Sequence, residues 1–283
     1  MEITPIITFT TAWYDLGAKF KKEQYYVWAQ NLLMNVRKFN LIVYVEDKTS
    51  FNLIETLSNK NPYIYIIILP FNDLPLYKYK ELFIKNHEKN TELNNKVSWK
   101  LIMLWCSKQY LVEITEENII KKTNNYPSEI TEYYGWVDIG YFRSRNINEL
   151  SPKQIQHFPD INKINKLNKE KIHYGLINPF MIEELKKYVY NRNNNGLPQI
   201  PIPLNQISIA GGFFILAGGK LSKIWRELFE THLYTYLTEK YIVKDDQYII
   251  VDFIILNPNL FELWIERVDY NIDSWFLFQR FLM

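Results

Sequence analysis

The stretch Trp136-Val137-Asp138-Ile139-Gly140-Tyr141-Phe142-Arg143 joins an apolar run with strand character to one carboxylate, a glycine and an arginine. Ligands of open α/β sheets bind beyond the carboxyl ends of the strands, where an acidic residue can hold a divalent cation or a ligand hydroxyl. The plainer alternative for Asp-x-Gly is a turn, with the Asp capping local amides and the Gly at positive φ. Further polar groups fall at predicted strand ends or helix starts: Thr10 and Thr11, Asp47, Gly211-Gly212 and Asp245-Asp246. If the strands are parallel, these share one edge of the sheet. Asp138 could then bind Mg²⁺ or Mn²⁺ bridging a diphosphate, with Lys108 or Arg143 as a fixed positive partner. Gly211-Gly212 would let backbone approach a ligand, or mark a bulge. Asp245 or Asp246 could be a general base for an acceptor hydroxyl, although an Asp before an apolar helical run also has the form of an N-cap.

Other chemistries lack their residues. There is no Gly-x-x-x-x-Gly-Lys-[Ser/Thr] phosphate loop, no Gly-x-Gly-x-x-Gly after the first strand, no Gly-x-Ser-x-Gly elbow and no His-Glu-x-x-His. A nucleotide triphosphatase, a classical dehydrogenase, a serine hydrolase and a zinc protease are disfavoured. His87, His157, His173 and His232 share no ligand spacing and read as surface or packing residues. The single cysteine, Cys106, excludes an internal disulfide framework and reads as a small core residue, which fits a reducing compartment. With 33 basic and 31 acidic residues there is no general electrostatic case for nucleic acid or an anionic membrane. Met1 to Pro5 does not open a secretory signal, and no apolar stretch approaches the ~20 residues of a membrane span, so a soluble cytoplasmic protein is expected.

The elements that must position these groups follow from periodicity. A composition 47% hydrophobic and 16% aromatic, over 283 residues, supports one α/β domain with a sizeable core. Ile3 to Phe9, Leu41 to Val45 and Tyr63 to Leu69 read as buried strands. Tyr25, Trp28, Ala29, Leu32, Leu33 and Val36 form one helical stripe between the first two, and Ser50 could cap a second helix through Leu57. The chain between Asp73 and Asn95 reads as a loop with a short surface helix, and Lys96 to Ile114 as one buried helix. Within that helix Lys108 either snorkels to the surface or points at an anion. Glu116 to Glu132 is expected to be a polar linker, Ser151 to Lys171 an irregular excursion, and Asn191 to Pro203 the best linker candidate within the domain. A strand at Ile172–Ile177, helices at Met181–Tyr190, Leu221–Glu239 and Tyr248–Leu256, and a strand at Leu260–Ile265 complete the pattern. No fixed-period repeat is present.

Taken in order, Ile-Thr-Phe-Thr-Thr with Tyr14-Asp15, Tyr25-x-x-Trp28-x-x-Asn31-Leu32-Leu33, Leu41-Ile42-Val43-Tyr44, Met103-Leu104-x-x-x-Lys108, Trp136-Val137-Asp138-Ile139-Gly140, Gly211-Gly212-Phe213-Phe214 and Asp246-Gln247 resemble the HtrL/YibB family of glycosyltransferases. The resemblance runs over nearly the whole chain. It implies a GT-A-like nucleotide-diphospho-sugar transferase fold, a mostly parallel sheet flanked by helices, with residues 1–145 as nucleotide-binding half and 146–283 as acceptor-binding half. It further implies a UDP-sugar or similar donor, a glycan, protein or lipid-linked acceptor, and Mn²⁺ or Mg²⁺ held by Asp-x-Asp. Here the second acidic place is Gly140, so either the enzyme does not depend on the metal or a second ligand comes from elsewhere. Thr10, Thr11 and Asp47 would lie near the nucleoside, Lys108 near the phosphates, Asp138 at the metal or sugar, and Asp246 at the reacting acceptor. The alternative from another class is a non-catalytic carbohydrate-binding or scaffold protein on a degenerate transferase fold.

Overall fold

The β-branched runs pair as strands in a computed structural model that describes residues 6–17, 19–129, 131–239, 241–266 and 272–283. Strands β1 (Ile7–Trp13), β2 (Asn40–Val45) and β3 (Ile64–Ile68) alternate with helices α1 (Lys22–Leu33) and α2 (Lys48–Ser58). Helices α3 (Lys80–Glu88), α4 (Trp99–Cys106) and α5 (Lys108–Ile120) precede β4 (Tyr133–Val137). Two single-turn helices, α6 (Pro152–Ile155) and α7 (Ile161–Ile164), lead to β5 (Ile172–Leu176), α8 (Pro179–Val189) and β6 (Ile209–Ala217). Helices α9 (Lys220–Thr238) and α10 (Asp246–Leu256), strand β7 (Phe261–Ile265) and the short α11 (Phe278–Phe281) complete the chain.

All seven strands join one sheet in the order β3-β2-β1-β4-β6-β5-β7, so the chain is a single α/β domain whose two halves share one sheet. The sheet is mostly parallel; β6 alone runs against both its neighbours, β4 and β5. Gly135 makes the β4–β6 crossing close, since a Cβ there would lie 2.2 Å from the Phe214 carbonyl oxygen. One face is covered by α1, whose buried Trp28, Ala29, Leu32 and Leu33 are the stripe anticipated from the sequence, together with Ile155, Ile164 and Phe278. The opposite face carries α4, α5, α8, α9 and α10. Helix α10 is apolar all round because it is buried all round, and each of its Ile, Val and Phe side chains contributes about 1.5–3 kcal/mol by leaving water.

Several sequence expectations are corrected. The first strand does not stop at Thr10-Thr11; it runs to Trp13 in register with β2, while the expected start at Ile3 and the Met1–Pro5 segment lie outside the described residues. The helix expected over Lys96–Ile114 breaks at Ser107 into α4 and α5, and α5 takes the first residues of the expected polar linker. Glu116, in that stretch, is buried and accepts from the Gly219 amide and the Ser222 hydroxyl. Asp47, rather than Ser50, caps α2, its Oδ1 accepting from the Ser50 amide at 2.7 Å. The Pro-punctuated stretch 191–203 is packed rather than linking: Leu197 and Ile202 are buried, and the hydroxyls of Tyr241 and Tyr248 donate to Pro198 and Ile202 carbonyls. Among the described residues, no helix is long and apolar enough to cross a membrane.

Candidate active site

The parallel strands β1 and β4 end at one edge of the sheet, and the antiparallel β6 begins there. Val137 pairs with Phe213, and one residue past the strand the Asp138 amide donates to the Gly212 carbonyl at 2.8 Å. Gly211-Gly212 thus reach the same edge as Asp138 because β6 is reversed, not because all strands are parallel. Behind this edge α5 presents Lys108 from its first residue and α10 presents Asp245 and Asp246 at its start. The break at Ser107 aims Lys108 inward; its Oγ donates back to the Met103 carbonyl at 2.8 Å and closes α4.

Lys108 is 3% exposed, and its ammonium has three neighbours for its three N–H groups. It donates to the Gly211 carbonyl at 2.7 Å, and lies 3.0 Å from Asp246 Oδ2 and 3.3 Å from Asp138 Oδ1. Of the two sequence alternatives for Lys108, the anion-directed one is what forms. Asp138 Oδ1 also accepts from Trp136 Nε1 at 2.6 Å, while the side chain as a whole is 38% exposed. One oxygen of Asp138 is therefore committed to the protein and the other faces the cleft.

Asp245 and Asp246 are both buried, and burial sets the direction in which they titrate. Burial, reinforced by Asp245 and only partly opposed by Lys108, pushes Asp246 up to about 6. Asp245 is raised as well, by burial, against Lys244, whose ammonium stands 3.6 Å from its Oδ2. Burial alone would lower Lys108; the charges of Asp138 and Asp246 overcome it and hold the ammonium above the usual lysine range. Asp245 occupies the N-cap place of α10 yet makes no cap hydrogen bond, and its buried Oδ1 has no donor among the described residues. An N-cap does not account for this pair.

These groups line a cleft of about 550 Å³ that also contains Gly140, Arg143 and Gly211. Arg143 Nε donates to the Gly140 carbonyl at 3.0 Å, and the guanidinium lies 4.3 Å from the Trp28 ring, 5.3 Å from Phe20 and 5.2 Å from Phe276. Residues 138–141 do form a turn, closed by the Tyr141 amide donating to the Asp138 carbonyl at 2.8 Å, but Gly140 does not adopt positive φ in it. A Cβ there would meet the Trp28 ring at 3.3 Å and the Tyr25 ring at 3.4 Å, a tight but not closed packing. Gly211 likewise leaves room for Asp246, whose Oδ2 would lie 3.3 Å from a Cβ there, and Gly212 for Asp138 Oδ2 at 3.1 Å.

A divalent cation fits this donor set poorly. No group of three His, Cys, Asp or Glu side chains among the described residues is arranged to hold a metal. At Asp138 the position between the two carboxylates is taken by Lys108. At an effective dielectric of 20, each unit of like charge about 4 Å from that ammonium costs about 4 kcal/mol.

Of the residues singled out from sequence, Lys108, Asp138, Gly140, Arg143, Gly211, Asp245 and Asp246 share the cleft. Gly212 lies just behind it. Thr10, Thr11 and Asp47 do not reach it. Thr10 and Thr11 are fully buried within β1, Thr10 donating to Thr115 Oγ1 at 3.0 Å, and Asp47 caps an exposed helix end. The extra length of β1 carries the mouth forward to Trp13, Tyr14 and Asp15 instead. Sequence inspection missed Lys19, whose ammonium lies 5.1 Å from the Trp105 ring, and Trp275, which folds back from the C-terminal tail. Neither belongs to a strand end or helix start, so periodicity carried no signal for them. The histidines form no common site: His173 bonds Asn168 and Trp264, and His232 bonds Asp252.

No family model matches the sequence, and no curated protein matches it by sequence comparison. Among solved structures, the chain is similar to apo mouse xyloside xylosyltransferase 1, with a TM-score of 0.48 and 12% identity, over 91% of this chain and 84% of that one.

Proposed function

We propose that the protein is a glycosyltransferase that moves a sugar from a nucleotide-diphosphate donor to an acceptor hydroxyl, in keeping with the HtrL/YibB resemblance. The observation that carries this is the convergence of Lys108, Asp138 and Asp246 within 3.3 Å contacts at the carboxyl edge of the sheet, in a cleft large enough for a nucleotide sugar. In the reaction the acceptor oxygen bonds to the anomeric carbon, the bond from that carbon to the diphosphate oxygen breaks, and the diphosphate leaves with the electron pair. Asp246 takes the acceptor proton. A carboxylate with a pKa of about 6 is a stronger base than an ordinary one and remains mostly ionised at neutral pH. Asp245, buried beside it with an oxygen lacking a donor, receives a ligand hydroxyl. The open oxygen of Asp138 lies at the donor sugar, and the positive charges of Lys108 and Arg143 oppose the charge that develops on the diphosphate.

A melting-temperature screen against nucleotide sugars tests this reading. At least one donor is expected to stabilise the protein, and Asp138→Ala to lose that shift while staying folded. A panel of donors without effect on the native protein sinks the proposal.

A further inference from the structure

Resting on the donor reading above, we infer that this site binds the diphosphate without a divalent metal, its positive charge supplied by Lys108 and Arg143. Of the two positions at which a metal would be held, one is filled by an ammonium and the other carries no acidic side chain. The first lies between Asp138 and Asp246, where the Lys108 ammonium stands 3.3 and 3.0 Å from the two carboxylates and is tied at its third N–H to the Gly211 carbonyl. A cation that bridged those carboxylates would have to displace a buried ammonium that is ion-paired to both and donates to a backbone carbonyl. The second is the acidic place two residues after Asp138, which is Gly140. The packing there is tight, with Trp28 and Tyr25 ring atoms 3.3 and 3.4 Å from where a Cβ would be, and no carboxylate is present.

The same Trp28 that closes position 140 holds the replacement charge. Its ring lies 4.3 Å from the Arg143 guanidinium, which Phe20 and Phe276 flank at 5.3 and 5.2 Å. Gly140 contributes its carbonyl to Arg143 Nε at 3.0 Å, fixing the plane of the guanidinium. Arg143 lines the cleft and forms no ion pair among the described residues, whereas its neighbour Arg145 is taken by Glu149 and Asp273. A guanidinium held flat with its terminal nitrogens free of carboxylates is a planar fork for two phosphate oxygens. Lys108 acts differently. It stays in its three-way seat, neutralises Asp138 and Asp246, and lets the diphosphate approach an edge that would otherwise repel it. One aromatic wall therefore both crowds the place where an acidic metal ligand would stand and orients the arginine.

Calorimetric titration of uridine, guanosine and adenosine diphosphates into the protein, in EDTA and again with Mn²⁺, separates the outcomes. The expected result is that one nucleoside diphosphate binds with a Kd that changes less than about threefold between the two buffers. Arg143→Gln should weaken that binding by about tenfold or more, and Arg143→Lys should restore only part of it. The first comparison needs no variant, so misfolding of a mutant cannot obscure it. Binding that requires Mn²⁺ overturns this inference and leaves the glycosyltransferase proposal standing. Absence of binding by all three diphosphates in both buffers overturns both.

Discussion

Replacing Asp246 by Asn keeps the shape of the side chain and removes its titration, which makes the charge balance of the site measurable. Asp246 is 2% exposed, and burial holds its carboxyl at about 6 rather than 3.8. A carboxyl with a raised folded-state pKa favours the fold when protonated. Its contribution is complete below the unfolded value near 4 and is lost as the pH rises through about 6. Linkage over that interval predicts that the stability of the native protein, relative to Asp246→Asn, falls by about 2 kcal/mol as the pH rises from about 4.5 to about 7.5. Lys108 remains charged throughout this range because Asp138 and Asp246 hold it above the usual lysine value. Urea unfolding of both proteins at several pH values measures the difference directly. A difference that stays flat within about 0.5 kcal/mol, or grows with pH, would refute the claim that burial outweighs the Lys108 ammonium at this carboxylate.

Three further variants probe the supports of the site. Gly211→Ala places a Cβ 2.9 Å from Gln247 Cγ and 3.3 Å from Asp246 Oδ2, so it should cost about 1–3 kcal/mol in chemical denaturation and weaken donor binding in the same protein. Asp47→Ala removes the α2 cap from a solvent-exposed helix end and should lower the melting temperature slightly while leaving donor affinity unchanged; a loss of affinity would return Asp47 to the site. Arg192→Ala strips the buried Asp252 of a guanidinium at 2.8 and 3.2 Å, leaving only His232 and Tyr236 as donors, and should destabilise the protein by about 3–5 kcal/mol in urea unfolding.

What could be read from sequence follows what is local. The α1 stripe and the continuous apolar runs of β2 and β4 are periodic signals, and the structure places them where their period requires. Lys108 is legible as an anomaly, a charge in an apolar helix, but two of its three partners, Gly211 and Asp246, lie more than a hundred residues away, and no local pattern names them. Thr10, Thr11 and Asp47 share one sequence signature, a polar residue after an apolar run, which marks a strand end at the ligand edge only where the strand stops there. A buried threonine such as Thr10, which donates to Thr115, continues a strand without interruption, and an Asp after a strand can be consumed by the next helix. The direction of β6 is a property of chain connectivity, invisible to composition, although it is what brings Gly211 to Lys108. Gly140 was noticed as the missing acid. The rings of Trp28 and Tyr25 that crowd it are visible only in the packed structure.

The most direct test is donor hydrolysis in the absence of acceptor, with release of nucleoside diphosphate measured for a panel of nucleotide sugars on the native protein and on Asp246→Asn. The account predicts release from at least one donor and a fall of about a hundredfold or more in the variant, with donor binding retained. Binding of a nucleotide sugar with no release would favour a carbohydrate-binding protein on a transferase-like fold. Neither binding nor release from any donor would contradict the assignment of Lys108, Asp138 and Asp246 to a glycosyl-transfer site.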